Sequence, residues 1–190
     1  RYQTALMLQA ENQSLQKLLN IKLSRNYQYV TARSISDSVN NFVKTILIDA
    51  GTQKGVKKNQ AVLSGEGMVG RIIETGKNSA RILLITDVNS RVPVVIEGSQ
   101  QKAILSGSNA PHPVLKHLHR DSSVIDGARV ITSGDGGVFP AGFPIGIIHK
   151  ETSGEIVVYP FADLNKLSYV RIVGQSDVNN LIRGSIDIVE

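Results

Sequence analysis

Short segments rich in β-branched residues follow one another along most of this chain, and a turn signal separates each from the next. Ten such segments predict strands, at 29–35, 43–49, 68–74, 81–85, 92–96, 103–106, 128–131, 145–149, 156–159 and 167–173. Many short strands with this punctuation are typical of an all-β sandwich or barrel. No helical pattern alternates with them, as βαβ units would require. The sequence therefore predicts a mainly β protein.

The first residues differ from the rest of the chain, because positions 3–20 contain no Gly or Pro and are rich in helix formers. In heptad notation Asn12 falls at an a position beside leucines at d, which is typical of a parallel two-stranded coiled coil. The predicted dimerisation residues are Ala5, Leu8, Asn12, Leu15 and Leu19. A surface helix packed on its own domain is the alternative. Since a lone helix of this length is marginal in water, we favour a pair that continues upstream.

A weak internal echo predicts two similar β units. Residues 56–62 align with 124–130, and each copy is followed by a glycine turn and a strand opening, at 69–72 and at 145–148. Two small tandem β-barrels would account for this repeat. The predicted domains are a coiled-coil helix at 1–24, a first barrel at 25–108, a second barrel at 109–173 and a polar tail at 174–190 with partial disorder.

Composition narrows the function classes. The 190 residues carry a net charge of +5 in short, scattered clusters and contain neither Cys nor Trp. Cysteine-based metal and redox chemistry is therefore excluded, and nucleic acid is not an expected partner, since aromatic platforms and a basic groove are lacking. No apolar run approaches the roughly 18 residues of a membrane span, and no signal peptide is visible. A cytosolic protein would fit, and so would a chain whose N-terminal membrane anchor lies outside this sequence.

The segment 130–146 is dense in turn residues and reads Val-Ile-Thr-Ser-Gly-Asp-Gly-Gly-Val-Phe-Pro-Ala-Gly-Phe-Pro-Ile-Gly. Its first three glycines suit positive φ, and its prolines remove donors from any ladder. A chymotrypsin-like protease is excluded, because the first histidine is His112 and Ser133 precedes Asp135. His117 and His119 would share one face of a strand, but two ligands do not make a zinc site. No catalytic residue, metal site or cofactor is predicted.

Segment 132–146 resembles the Thr-Ser-Gly-x-Gly-Gly-x-Phe-Pro-x-Gly-x-Pro-Val-Gly signature of the MreC family of rod-shape-determining proteins. Further similarity lies in order along the chain, at 49–62, 67–72, 81–87, 161–164 and 167–170. Two turn positions depart from the family pattern, since Asn59 stands where Gly is frequent and Ala128 where an acidic residue is frequent.

This resemblance implies a single-pass inner-membrane protein whose coiled coil and two barrels lie on the periplasmic side. It implies a homodimer that can extend to filaments, and a non-catalytic scaffold of the peptidoglycan-synthesising elongation machinery. The implied partners are penicillin-binding protein 2 (the elongation transpeptidase), MreD, RodA and MreB. A periplasmic adaptor of an export system is the alternative, which would require a long helical hairpin interrupting a β domain.

We call one set of residues the signature loop: Gly134, Gly136, Gly137, Phe139, Pro140, Gly142, Phe143 and Pro144. These residues are expected to shape a loop of the second barrel. Phe139 and Phe143 either contact a partner or pack beneath the glycine turns, and packing is the favoured interpretation.

Overall fold

Twelve strands build the part of the chain that the computed structural model describes, namely residues 4, 7–8, 10–11, 27–40, 42–65, 67–119 and 123–174. The strands are β1 Gln28–Asn40, β2 Val43–Ile48, β3 Ala61–Ser64, β4 Gly67–Thr75, β5 Ala80–Leu84, β6 Arg91–Ile96, β7 Lys102–Ser106, β8 Val114–Lys116, β9 Arg129–Thr132, β10 Pro144–Lys150, β11 Ile156–Pro160 and β12 Tyr169–Gly174. Short 3-10 turns lie at Thr52–Lys54 and Asp135–Gly137. The mainly β prediction is confirmed. The strands not predicted, β3 and β8, have four and three residues and are too short to show alternation.

The strands close into two six-stranded barrels. The first has the order β1-β12-β3-β4-β5-β2, and the second has the order β10-β11-β8-β7-β6-β9. The second barrel is one continuous stretch of chain between β5 and β12 of the first. The predicted boundary at residue 108 differs from this arrangement, because β6 and β7 belong to the second barrel and β12 returns to the first. A barrel has an open edge until its last strand pairs, and in the first barrel that strand is distant in sequence from the others. The alternation of side chains along a strand does not show which strands pair.

Each barrel has an apolar core supplied by alternate strand residues. In the first barrel, a cluster of buried side chains includes Ile46, Ile72 and Ile82. In the second, β6 buries Val92, Val94 and Ile96. Burial of one such side chain stabilises the fold by about 1.5–3 kcal/mol, so closure of each barrel is driven mainly by these residues.

The junction between the barrels is held by polar contacts around the β5–β6 connection. The carboxylate of Asp87 is fully buried and accepts hydrogen bonds from the N–H groups of Lys44 (2.7 Å) and Asn89 (2.7 Å). Asn109, after β7, donates its backbone N–H to the carbonyl of Thr86 (2.8 Å) and its side-chain amide to the carbonyl of Phe42 (3.3 Å). These bonds join the β1–β2 hairpin of the first barrel to the second barrel, so the two barrels form one compact unit.

The internal echo corresponds to a repeated structural unit. In the first barrel the N–H of Asn59 donates to the carbonyl of Ile72 (2.7 Å), and in the second Gly127 donates to Ile148 (2.9 Å). Ile72 and Ile148 in turn donate to the carbonyls of Gln60 and Ala128, both at 2.9 Å. Asn59 and Gly127 both have positive φ, at 72° and 86°. The Asn that departs from the family pattern therefore keeps the left-handed backbone, which Asn tolerates better than most residues.

Little of the predicted dimerisation helix falls within the described residues. Those described in its range, at positions 4, 7, 8, 10 and 11, are helical, and the side chain of Leu8 is 62% exposed. Ala5, Asn12, Leu15 and Leu19 lie outside the described residues, as does the predicted tail beyond Gly174. Pairing through this helix therefore stays a prediction.

Candidate partner-binding cleft

The signature loop connects β9 to β10 in the second barrel. Gly134, Gly136, Gly137 and Gly142 all have φ between 70° and 90°, so the positive φ expected of the first three is found. At Gly136 the φ is 76° and no atom lies within 4 Å of the position that a Cβ would occupy. Backbone conformation alone therefore requires glycine there. Asp135 takes part in this turn, since its N–H donates to Ser133 Oγ (3.2 Å) and its carboxylate pairs with Lys102 (3.1 Å).

Thr132 closes the base of the loop. Its buried Oγ1 donates to the carbonyl of Pro140 (2.5 Å) and accepts the N–H of Phe143 (2.9 Å). Its backbone N–H donates to the carbonyl of Phe143 (2.9 Å), and its carbonyl accepts the N–H of Gly142 (2.8 Å). One residue thus joins the two ends of the connection, although the sequence analysis gave it no role beyond the first position of the signature segment.

The two phenylalanines of the loop pack inward. Phe139 is 4% exposed and Phe143 is 8% exposed, as expected for packing beneath the glycine turns. Phe143 also lines a cleft, together with the adjacent Pro144, whereas Phe139 does not. The loop therefore contributes to a surface feature through its last two residues.

That cleft lies between the two barrels and has a volume of about 560 Å³. It is lined by Tyr29, Leu63, Gly65 and Arg171 from the first barrel and by Arg129, Phe143, Pro144, Ile147 and Phe161 from the second barrel and the segment that leaves it. β10 packs beside β4, which brings the two walls together. The lining therefore combines apolar side chains with two arginines, and both barrels contribute to it.

Two arginines in the cleft lie over aromatic rings. The guanidinium carbon of Arg171 lies 5.4 Å from the ring centre of Tyr29, and that of Arg129 lies 5.6 Å from the ring centre of Phe161. Arg171 also donates through Nη2 to the carbonyl of Gly65 (2.8 Å). Arg129 has an ion pair with the half-exposed Glu97 (3.7 Å), which contributes little in water. The cation–π contacts hold both cations beside the apolar lining.

All four histidines lie in the stretch of chain that forms the second barrel. His117 and His119 follow β8 rather than lie on it, so the shared strand face expected for them is absent. His112 and His149 stack on Tyr159, with ring centres 3.9 and 5.0 Å apart, and His149 lies 3.8 Å from Asp126. Among the described residues, no three His, Asp or Glu side chains are grouped to hold a metal ion. Nor does any described helix have the length and apolar character to cross a membrane.

Sequence reasoning missed most of the cleft. Tyr29, Arg129, Phe161 and Arg171 come from positions up to 142 residues apart, 29 and 171, and only the closed barrels bring them together. Arg129 and Phe161 lie in segments that had been noted for the repeat and for the family likeness. Neither segment carried a signal that its side chain would face a cleft.

Comparison with known proteins places this architecture in a family. Residues 35–174 match the family described as rod shape-determining protein MreC, barrel core. The chain is 40% identical over 169 residues to the cell shape-determining protein MreC of Caulobacter vibrioides, covering 89% of this chain and 49% of that protein. The chain thus spans about half the length of that relative. A solved MreC of Listeria monocytogenes has a TM-score of 0.76 and 33% identity, over 92% of this chain and 89% of that one.

Two further solved structures are similar to this chain. The major periplasmic domain from the cell shape-determining filament MreC has a TM-score of 0.69 and 25% identity over 79% of this chain and 99% of that chain. MreC in a complex between penicillin-binding protein 2 and MreC from Helicobacter pylori shares the fold at a TM-score of 0.58 with 17% identity, over 79% of this chain and all of that chain. With its two closed barrels and its match over residues 35–174, the chain belongs to the MreC family of cell shape-determining proteins.

Proposed function

We propose that this chain is the periplasmic part of a non-catalytic scaffold for bacterial cell elongation, and that it binds the elongation transpeptidase through the cleft between its barrels. Family membership supports this proposal, as do the periplasmic domain and the penicillin-binding protein 2 complex among the solved structures that are similar to the chain. The observation that carries the choice of surface is the cleft itself, which both barrels line. A partner seated there would contact both barrels at once, in a relation fixed by Asp87 and Asn109.

The wider assembly is part of the same proposal. The chain would dimerise through its N-terminal helix, extend to filaments, and be anchored in the inner membrane by a segment outside this sequence. MreD, RodA and MreB would be its further partners by family likeness. The adaptor alternative is not favoured, because the described residues between 27 and 174 contain strands and two 3-10 turns but no helical hairpin.

A pair of isoleucines provides the test. Ile147 lines the cleft and is 38% exposed, whereas Ile125 is 72% exposed and lies outside it. The substitution Ile147→Asp would place a charge against the buried apolar contact, and Ile125→Asp is the matched control. Binding of the extracytoplasmic domain of the organism's own elongation transpeptidase is measured by biolayer interferometry at moderate salt.

We expect Ile147→Asp to raise the Kd by at least about 10-fold, since one buried aliphatic side chain contributes about 1.5–3 kcal/mol. Ile125→Asp should change it by less than about 2-fold, because an exposed side chain outside the contact contributes little. Unchanged circular dichroism spectra establish that both variants are folded. Equal affinity of the two variants would remove the cleft from the proposal, and no binding by the wild-type chain would remove the transpeptidase.

A further inference from the structure

We infer that the cleft recognises an acidic segment of a protein, in which carboxylates flank an apolar side chain. The identity of the protein that carries this segment rests on the function proposed above. The chemistry of the segment is argued from the cleft alone.

Charge is the first argument. Among the described residues that line the cleft, Arg129 and Arg171 are cationic and none is anionic. Arg171 has no carboxylate within ion-pair distance among the described residues, and Glu97, the partner of Arg129, lies outside the lining. Two cations that line one cleft, with no anion among the described lining residues, give it a positive potential that attracts carboxylates.

The second argument is the set of N–H donors that each arginine keeps. A cation–π contact uses no hydrogen-bond donor, so the contacts with Tyr29 and Phe161 leave the guanidinium N–H groups for other partners. Arg171 uses Nη2 for the carbonyl of Gly65, so its other N–H groups remain for a ligand. A guanidinium has five N–H donors, and a carboxylate matches two of them in a planar pair. The contacts with the rings also limit the motion of both side chains before binding, which lowers the entropic cost of a bound acid.

The third argument is the surface between the cations, which is apolar. Leu63 and Phe143 are mostly buried, Pro144 is half-buried and Ile147 is partly exposed. A purely ionic ligand would leave this surface wet, whereas an aliphatic or aromatic side chain would displace that water. A nucleic acid is a poor fit, because phosphate backbones are bound through many cations along a groove. An acidic segment with a central apolar residue would match both the arginine N–H donors and the apolar surface between them.

Nuclear magnetic resonance of the 15N-labelled chain tests this directly, without any substitution in the protein. The probe is acetyl-Gly-Asp-Ile-Leu-Glu-Gly-amide. Two control peptides replace either the acids by Asn and Gln or the Ile-Leu pair by Ser-Ser. We expect saturable shifts of the Arg129 and Arg171 Nε–H signals and of the Ile147 amide with the acidic apolar peptide. Each control peptide should bind at least about 5-fold more weakly, because it lacks one of the two matched features.

Charge variants give a second, independent readout. Arg129→Gln combined with Arg171→Gln should abolish saturation by the peptide. Lys57→Gln combined with Lys58→Gln removes the same charge from exposed positions outside the cleft and should retain it. The inference is wrong if the acidic and amide peptides bind equally, or if neither saturates up to about 10 mM.

Binding of the transpeptidase domain to the same variants separates the two proposals. A partner that binds the wild type and the arginine variant equally would overturn the acidic segment and leave the proposed function in place. Saturable binding of the acidic peptide, with no binding of the transpeptidase, would overturn the proposed partner and leave the acidic segment in place. We expect the arginine variant to lose saturable binding of the peptide and to bind the transpeptidase with a Kd at least about 10-fold higher than the wild type.

Discussion

The two barrels contain the same repeated unit, but its strands are joined by connections of different length. In the first barrel the unit spans residues 56–72, and two residues connect β3 to β4. In the second barrel it spans residues 124–148, and the eleven residues 133–143 connect β9 to β10. The hydrogen bonds around Asn59 and Gly127 are alike in the two copies. What differs is the connection, and the longer one provides Phe143 to the lining of the cleft and leads directly into Pro144. The repeat therefore builds the barrels, and its variation builds the candidate site.

The strongest test of this equivalence uses one glycine from each copy. Gly70 and Gly146 face the carbonyl oxygens of Leu83 and Tyr159, and a Cβ added at either would lie 2.0 or 2.1 Å from that oxygen. Alanine at either position should lower the free energy of unfolding by about 3 kcal/mol or more, because a strand backbone would have to move. Chemical and thermal denaturation measure this loss.

The matched control is Gly76→Ala, whose nearest neighbour would be the hydroxyl of Ser79 at 3.3 Å. That side chain can move, so the control should change stability by less than about 1 kcal/mol. If Gly146→Ala melted at the wild-type temperature while Gly70→Ala did not, the two copies would not be equivalent in packing.

A smaller effect is expected where the connections diverge. Thr132 and Ser64 occupy corresponding positions, but Thr132 Oγ1 is buried and bonds to the buried N–H of Phe143 and to the partly buried carbonyl of Pro140. Ser64 Oγ donates to the carbonyl of Tyr169 at 3.2 Å on a partly exposed surface. Thr132→Val should cost about 1–3 kcal/mol, since it removes both hydrogen bonds that the buried hydroxyl makes, and Ser64→Ala should cost about 0.5 kcal/mol.

Urea denaturation compares these variants, with Thr132→Ser as the control that keeps the hydroxyl and loses only a methyl group. The serine variant should retain most of the stability. Equal losses for Thr132→Val and Ser64→Ala would show that the long connection is not held by this hydroxyl.

The sequence was informative about local structure and much less so about pairing. Ten strands and the positive φ of the loop glycines follow from side-chain patterns within a few residues. Membership of the barrels does not, because β12 pairs with β3 through Arg171 opposite Leu63, more than a hundred residues apart in sequence. The cleft could not be predicted for the same reason, since Tyr29 and Phe161 come together only when both barrels are closed. A motif can indicate a loop, but the surface that the loop completes depends on long-range closure.

The smallest expected effect concerns the shared turn at Asn59 and Gly127. Both backbones are left-handed, and nothing lies within 4 Å of a Cβ at Gly127, so a substitution there acts through φ alone. Alanine at either position should therefore cost about 1 kcal/mol, whereas Asn59→Gly should stay within about 0.5 kcal/mol of the wild type. The exposed hydrogen bond from Arg71 to the Asn59 side chain adds little to this difference. Urea denaturation beside Lys58→Ala, an exposed neighbour with ordinary φ, measures these changes. If Asn59→Ala left the free energy of unfolding unchanged, the first copy would not need the left-handed turn. The likeness between the two barrels would then end at their strands.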